Sequence, residues 1–194
     1  MKQYFLIVIT FCLIYFTQVT IAQGIIKDDF LVNDDAGSAN QNYPSISVDG
    51  TGNFVIVWRD FRNGNGDIYY QNYNTNGSAV GVNIKVNDDT GSVSQGYTSI
   101  AMDGAGNFVI VWDDDRNTNY GTDIYFQRYT STGTALGVNT KVNDDVDSVK
   151  QWSPFIAMDA TGGFVVVWID ERNVDRDIYF QRYSSTGAPL GINT

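Results

Sequence analysis

The chain has 194 residues, with 12 Lys and Arg against 22 Asp and Glu, no His and a single Cys. A net charge of −10 excludes the phosphate-neutralising mode of nucleic-acid binding, which needs a surplus of Lys and Arg. One cysteine supports neither a disulfide framework nor a thiolate metal site.

The first segment, residues 1–22, reads as a secretory signal. Lys2 is a minimal basic start, an apolar run extends from Tyr4 to Phe16, and Thr20, Ile21 and Ala22 fit cleavage before Gln23. The run is shorter than the roughly 20 residues a membrane-spanning helix requires, so an uncleaved anchor is the weaker reading and no membrane insertion is expected after cleavage. Cys12 leaves with this segment, as does Lys2, its one charged residue, which leaves 11 basic and 22 acidic residues. All the acidic residues but Glu171 are Asp, and only Leu31, Leu136 and Leu190 remain of the leucines. Asp favours turns and caps, while the abundant Val, Ile, Tyr and Phe favour strands, so almost no helix is expected.

From residue 30 onward the chain spells one unit three times, over about 32–85, 86–141 and 142–194. Trp58, Trp112 and Trp168 lie 54 and 56 residues apart, as do Val32, Val86 and Val142. The two extra residues fall between Arg116 and Asp123, in a polar loop, where insertions are tolerated.

Each unit holds four predicted strands. The first is short (Ser45 to Val48, Ser99 to Met102, Phe155 to Met158) and ends in a DGTGN, DGAGN or DATGG turn. The second, FVIVW or FVVVW, is apolar at five consecutive positions and therefore interior, with both faces covered. The third runs from Asp67 to Tyr73, Asp123 to Tyr129 and Asp177 to Tyr183, and the fourth is the weaker GVNIKVND segment, from Gly81 to Asp88 and from Gly137 to Asp144. A tandem four-stranded meander of this length is the pattern of a β-propeller blade, whereas a sandwich needs about 100 residues and a solenoid a shorter coil.

The expected fold is therefore all-β: three tandem four-stranded antiparallel blades of β-propeller type. Propellers close with about four to eight blades, so three leave the ring incomplete or completed by an oligomer. Residues Asp28 to Asp35 match the end of a fourth strand, while Gly191 to Thr194 stop short of the equivalent KVNDD. Two completions fit: a homo-oligomer in which two chains supply six blades, or further C-terminal blades of a longer product. The second is favoured, because the pattern ends in mid-repeat.

The units VNDDTGSVSQGYTSIAMDGAGNFVIVWDDDRN and DIYFQRYTSTGTALG resemble the tandem VNDD, GNFVVVW, D-x-RNG, DIYAQRY repeats of large secreted and cell-surface proteins of Bacteroidetes-like bacteria. The resemblance covers residues 30 to 194. It implies export, propeller-like folding and surface display, and no particular reaction. Such proteins often carry a C-terminal sorting domain, which this sequence does not show.

In an antiparallel meander the second-to-third-strand loop and the connection into the next unit lie at one end. Asp60 and Arg62, Asp114 and Arg116, and Asp170 and Arg172 should then share a rim with the Asp pairs 34/35, 88/89 and 144/145. The structural reading pairs each Arg with one or two Asp while the rest cap turns, and it outranks the others because the device recurs in every unit. Ca²⁺ is the alternative, since it takes six to eight oxygen ligands, but no dedicated calcium loop is present. The recurring tryptophans are expected between blades. Function on a repetitive scaffold resides where the repeat breaks: Trp152, which replaces Asn42 and Gly96, with Asp113, Asp115, Tyr120, Glu171 and Arg176. The rim residues Asp60, Arg62, Asp114, Arg116, Asp170 and Arg172, together with Trp152, form the candidate ligand-binding surface, with no catalytic residue, metal or cofactor assigned. The expected function is non-catalytic extracellular binding of a glycan or protein, or a structural role at a surface. A propeller glycosidase or sialidase is the alternative, weakened by the absence of His and the single Glu.

Overall fold

The computed structural model describes residues 29–117, 121–145 and 149–194. The expected signal segment and Tyr120 lie outside these residues. Among the described residues there is no helix, and hence none long and apolar enough to cross a membrane.

Twelve strands form three antiparallel four-stranded sheets. The first contains β1 (Gln41–Val48), β2 (Phe54–Asp60), β3 (Asp67–Tyr73) and β4 (Ala79–Lys85) in that order. The second contains β5 (Gln95–Met102), β6 (Phe108–Asp114), β7 (Asp123–Tyr129) and β8 (Ala135–Lys141). The third contains β9 (Gln151–Met158), β10 (Phe164–Asn173), β11 (Asp175–Tyr183) and β12 (Pro189–Leu190). The turn between the first and second strands repeats in each sheet. Asp49 Oδ1 accepts from the Thr51 and Asn53 amides at 2.8 and 2.9 Å, and Gly52 takes a φ of +92°, which only glycine adopts freely.

Several boundaries differ from the sequence reading, among them β10 and β11, which extend to Asn173 and back to Asp175. The first strand begins four residues earlier than Ser45, because it continues across a bulge between Asn42 and Ser45, with the same irregularity between Gln95 and Thr98. The fourth strand spans Ala79–Lys85, so Val86 to Asp89 leave the sheet. They turn toward the next sheet, where the Asp88 amide donates to Asn139 Oδ1 at 2.8 Å.

The sheets stack face on face. Period-two alternation sends Val55, Val57, Ile68 and Tyr70 from the first sheet against Ile100, Phe108, Ile110 and Trp112 of the second. Val109, Val111, Ile124 and Phe126 from its other face meet Phe164, Val166, Trp168 and Tyr183 of the third. Phe108 stacks on Tyr129 and meets Tyr70 edge-on, and Phe164, Tyr183 and Phe126 repeat the arrangement one sheet later. The second sheet is therefore covered on both faces. In the third the expectation of two covered faces fails, since Ile178 and Phe180 are exposed on its far side. β1, β5 and β9 neighbour one another across the sheets, which makes the first strand of each sheet the inner one.

Candidate binding cleft

At one end of the sheets each Trp-x-Asp-x-Arg segment folds into the same cluster. In the second sheet the buried Asp114 carboxylate accepts from Trp112 Nε1 at 2.7 Å, from the Arg116 amide at 2.8 Å and from Arg116 Nη2 at 2.8 Å. Arg116 also pairs with Asp88 at 2.5 Å, and its guanidinium lies 4.4 Å from the Tyr125 ring centroid. Asp60 with Arg62 and Asp34 in the first sheet, and Asp170 with Arg172 and Asp144 in the third, repeat it. Burial alone would raise the Asp60 and Asp170 carboxyls. The Arg62 and Arg172 guanidinium bonds and the Trp58 and Trp168 indole bonds outweigh it and hold both below the usual carboxylate range. Each Arg reaches an Asp at the start of its own repeat, in the segment that leads into its sheet. Among the described residues no group of three or more His, Cys, Asp and Glu is placed to hold a metal ion.

The three tryptophans of these segments are buried, Trp112 and Trp168 between sheets as expected. Trp58 is equally buried but on the outward face of the first sheet.

The positions where the repeat breaks converge elsewhere at the same end, over the inner strands. A cleft of about 470 Å³ is lined by Arg59, Tyr97, Asp113, Asp115, Trp152, Glu171 and Arg176, together with Lys150 and Thr122. Its floor follows from strand register. Asn42 faces Arg59 across β1 and β2, and accepts Arg59 Nε at 3.0 Å; Trp152 faces Ile169 across β9 and β10. The corresponding pair in the second sheet is Gly96 with Asp113. A Cβ on Gly96 would overlap the Asp113 carboxylate, so the glycine makes room for the acid.

Asp113 is 5% exposed and bridges two inner strands, accepting the Tyr97 amide at 3.0 Å and the Ser153 amide at 3.2 Å. Burial, reinforced by the Asp115 charge, outweighs those two bonds and pushes its carboxyl up to about 7. Around it runs an aromatic surface: Tyr43 lies 4.3 Å from Tyr97, which lies 6.3 Å from Trp152, centroid to centroid. Tyr43 and Ser153 both hold left-handed backbone (φ +53° and +54°), which places the strain of the inner-strand bulges at this cleft. β10 and β11 continue past their counterparts and carry Glu171 and Arg176 over it. Arg176 Nε donates to Glu171 at 3.1 Å and the guanidinium lies 5.2 Å from the Trp152 ring.

Of the sequence-selected residues, the structure thus gathers Trp152, Asp113, Asp115, Glu171 and Arg176 into one cleft. It places Asp60, Arg62, Asp114, Arg116, Asp170 and Arg172 in the neighbouring ion-pair clusters. Arg59 and Tyr97 were not singled out by sequence. The signal for Arg59 was present, because the residue between Trp and Asp is Arg59, Asp113 or Ile169, a column that differs in every copy of an otherwise repeated segment.

No family model matches the chain, and no curated protein matches it in sequence. Among solved structures it is similar to a Hadza microbial sialidase, with 10% identity, a TM-score of 0.59, and coverage of 77% of this chain and 36% of that one. It is also similar to a family 25 polysaccharide lyase, an ulvan lyase bound to -[GlcA(1-4)Rha3S]-, at 13% identity and a TM-score of 0.54, over 78% of this chain and 43% of that one. A family 117 glycoside hydrolase from the marine bacterium Zobellia galactanivorans gives 11% identity and a TM-score of 0.50, over 85% and 58%. The chain spans about a third to three fifths of the length of these proteins. At such identities the likeness is one of fold: the three sheets are consecutive blades of a β-propeller, and the described residues leave its ring open.

Proposed function

We propose that the chain is an exported, non-catalytic glycan-binding module, and that the glycan sits in the cleft over the inner strands rather than on the ion-pair rim. One observation carries this reading: the side chains that depart from the repeat meet in a single concavity, while on the rim the same Asp-Arg pairing recurs in each sheet. The Tyr97 and Trp152 rings offer an apolar platform to a sugar face. Arg59, Asp113, Glu171 and Arg176 offer donors and acceptors for hydroxyl or acidic substituents, which is the mixture small-molecule sites use. The glycan-acting names of the fold neighbours add support to a carbohydrate ligand.

The non-catalytic part rests on the carboxylates. Glycoside hydrolysis requires an acid and a second carboxylate free to act across the bond. Here Glu171 is held by Arg176, and Asp115 accepts the Thr122 hydroxyl at 2.8 Å. The catalytic alternative draws on Asp113 alone, whose carboxyl titrates near neutrality as a general acid would.

A glycan array probed with the mature chain tests the reading. Binding lost on Trp152→Ala and retained on Arg116→Lys is expected. Retained binding in the Trp152 variant would overturn the cleft assignment, and turnover of aryl glycosides that Asp113→Asn abolishes would favour the enzyme.

A further inference from the structure

The stacked sheets leave apolar side chains uncovered on both outermost faces, each the counterpart of a side chain buried elsewhere in the same chain, while Trp58, Tyr69 and Tyr73 on the outer face of the first sheet are already buried. On the far side of the third sheet Ile178 is 67% exposed, whereas its equivalents Ile68 and Ile124 are fully buried. Phe180 and Val165 are exposed beside it, where Tyr70 and Val55 pack on the second sheet and Phe126 and Val109 on the third. On the near side of the first sheet Ile46 is 62% exposed, whereas its equivalent Ile100 is 6% exposed within the first interface. Val48 is exposed next to it. The chain thus presents one half of its own sheet-to-sheet interface at each end.

The connecting segments show the same division. Within the chain, Val86 and Asn87 bridge consecutive sheets. The Val86 amide donates to the Ile68 carbonyl at 2.8 Å, Asn87 Oδ1 accepts the Ile68 amide at 2.9 Å, and Asn87 Nδ2 donates to Asp67 at 2.9 Å. Val142 and Asn143 repeat this with Ile124 and Asp123. At the third sheet Asp177 has only Asn173 Nδ2, at 3.1 Å, among the described residues. The matching segment exists at the other end of the chain as Val32 and Asn33. It is already docked on its own first sheet as Val86 is on the second: Asn83 Nδ2 donates to the Val32 carbonyl at 3.3 Å, and the Asp34 amide donates to Asn83 Oδ1 at 2.8 Å. Asn33 makes no hydrogen bond among the described residues, and its counterparts Asn87 and Asn143 use theirs on the preceding sheet.

We infer that the exposed face of the third sheet receives the exposed face of the first sheet from a second copy of this chain. The partner's Asn33 then takes up Asp177 and the Ile178 amide as Asn87 takes up Asp67 and Ile68. The contact joins two different faces, so it generates a ring if the rotation closes and a filament if it does not. Two copies of the three described sheets supply six blades, within the four to eight with which propellers close, and the inferred contact then closes as a dimer with two identical contacts. Neither face includes the glycan cleft, and the inference stands independently of it.

Sedimentation and light scattering of the mature chain read this directly. The expected mass is twice that of the chain. Ile178→Asp and Ile46→Asp, each at an exposed position and so compatible with folding, should each raise the dimer dissociation constant at least about tenfold. Asn33→Ala should weaken it in the same direction with no change in far-ultraviolet dichroism. An equimolar mixture of the two Ile variants should recover a dimer, because it retains one intact pair of faces. A monomeric wild-type chain at tens of micromolar, a dimer indifferent to the Ile substitutions, or a filament in place of a discrete dimer would each overturn the inference.

Discussion

Gly96 and Asp113 share one volume: the glycine's missing side chain is where the carboxylate sits. Across the three blades the same site holds Asn42 with Arg59, Gly96 with Asp113 and Trp152 with Ile169, so the glycine faces the acid in the second blade only. Interiors packed to this density do not absorb an added methyl group without strain. Gly96→Ala is therefore expected to cost about 1–3 kcal/mol in urea unfolding. In an Asp113→Ala background the cost should largely vanish, a coupling that a double-mutant cycle measures directly.

The protonation of Asp113 sets a pH dependence of unusual sign. Its folded carboxyl titrates near 7, whereas an unfolded Asp titrates near 3.9, so between these values the folded state holds the extra proton. Stability from this group therefore declines as pH rises from about 4 to 7, with a slope of at most about 1.4 kcal/mol per pH unit. Asp60 and Asp170, whose folded values are depressed, act oppositely: their contribution is present above the unfolded value and lost as pH falls through the folded one. A thermal-melting profile should fall between pH 5 and 7 and again under strong acid. Asp113→Asn should flatten the first decline whatever its overall stability, and an unchanged slope would remove Asp113 as its cause.

The ion-pair clusters predict a large penalty for removing the cation. Asp114 is completely buried and Arg116 mostly so, and leaving such a carboxylate without its partner costs about 3 kcal/mol or more. Arg116→Ala should show this loss in denaturant unfolding. Arg116→Lys should recover only part, because an ammonium cannot reach Asp114 and Asp88 as a fork or lie flat on Tyr125. The central carboxylates Asp60, Asp114 and Asp170 already accept from Trp and Arg donors, so calcium or a chelator should leave the melting temperature of the wild-type chain unmoved; a rise of several degrees with calcium would reinstate a metal on the rim.

The parts of this molecule that were legible in its sequence are those that recur. FVIVW and DIYFQRY carry apolar side chains on both faces, and three aligned copies fix their register, so β2, β3 and their equivalents contain the expected segments, with β10 and β11 longer than expected. The ion pairs were legible because Asp-x-Arg keeps its spacing in every unit. The early part of β1 was not, since Gln41-Asn42-Tyr43-Pro44 has neither alternation nor apolar character and enters the sheet only across a bulge. The cleft was half legible: Trp152 and Asp113 stand out as departures from the repeat. That Arg59 and Tyr97 join them depends on three inner strands meeting side by side, and no single repeat encodes that proximity.

Val174 gives the last prediction, because it links backbone strain to the cleft. In the first blade the same loop position is Gly64, at a φ of +92°, and Val174 adopts +80°, a region that a β-branched residue enters only at a cost. Its side chain is 95% exposed and makes no packing that would compensate. The cost is retained where β10 and β11 reach beyond the other hairpins to hold Arg176 against Glu171 and Trp152. Val174→Gly should therefore stabilise the fold by about 1 kcal/mol, the relief of roughly 1–3 kcal/mol of strain less the entropy that glycine loses. That corresponds to about 2–4 °C in melting temperature for a chain of this size. The same change frees the hairpin tip, so glycan affinity should fall as stability rises. A destabilised Val174→Gly protein would show that the left-handed turn is not strained, and one that is stabilised with unchanged affinity would detach the hairpin from binding.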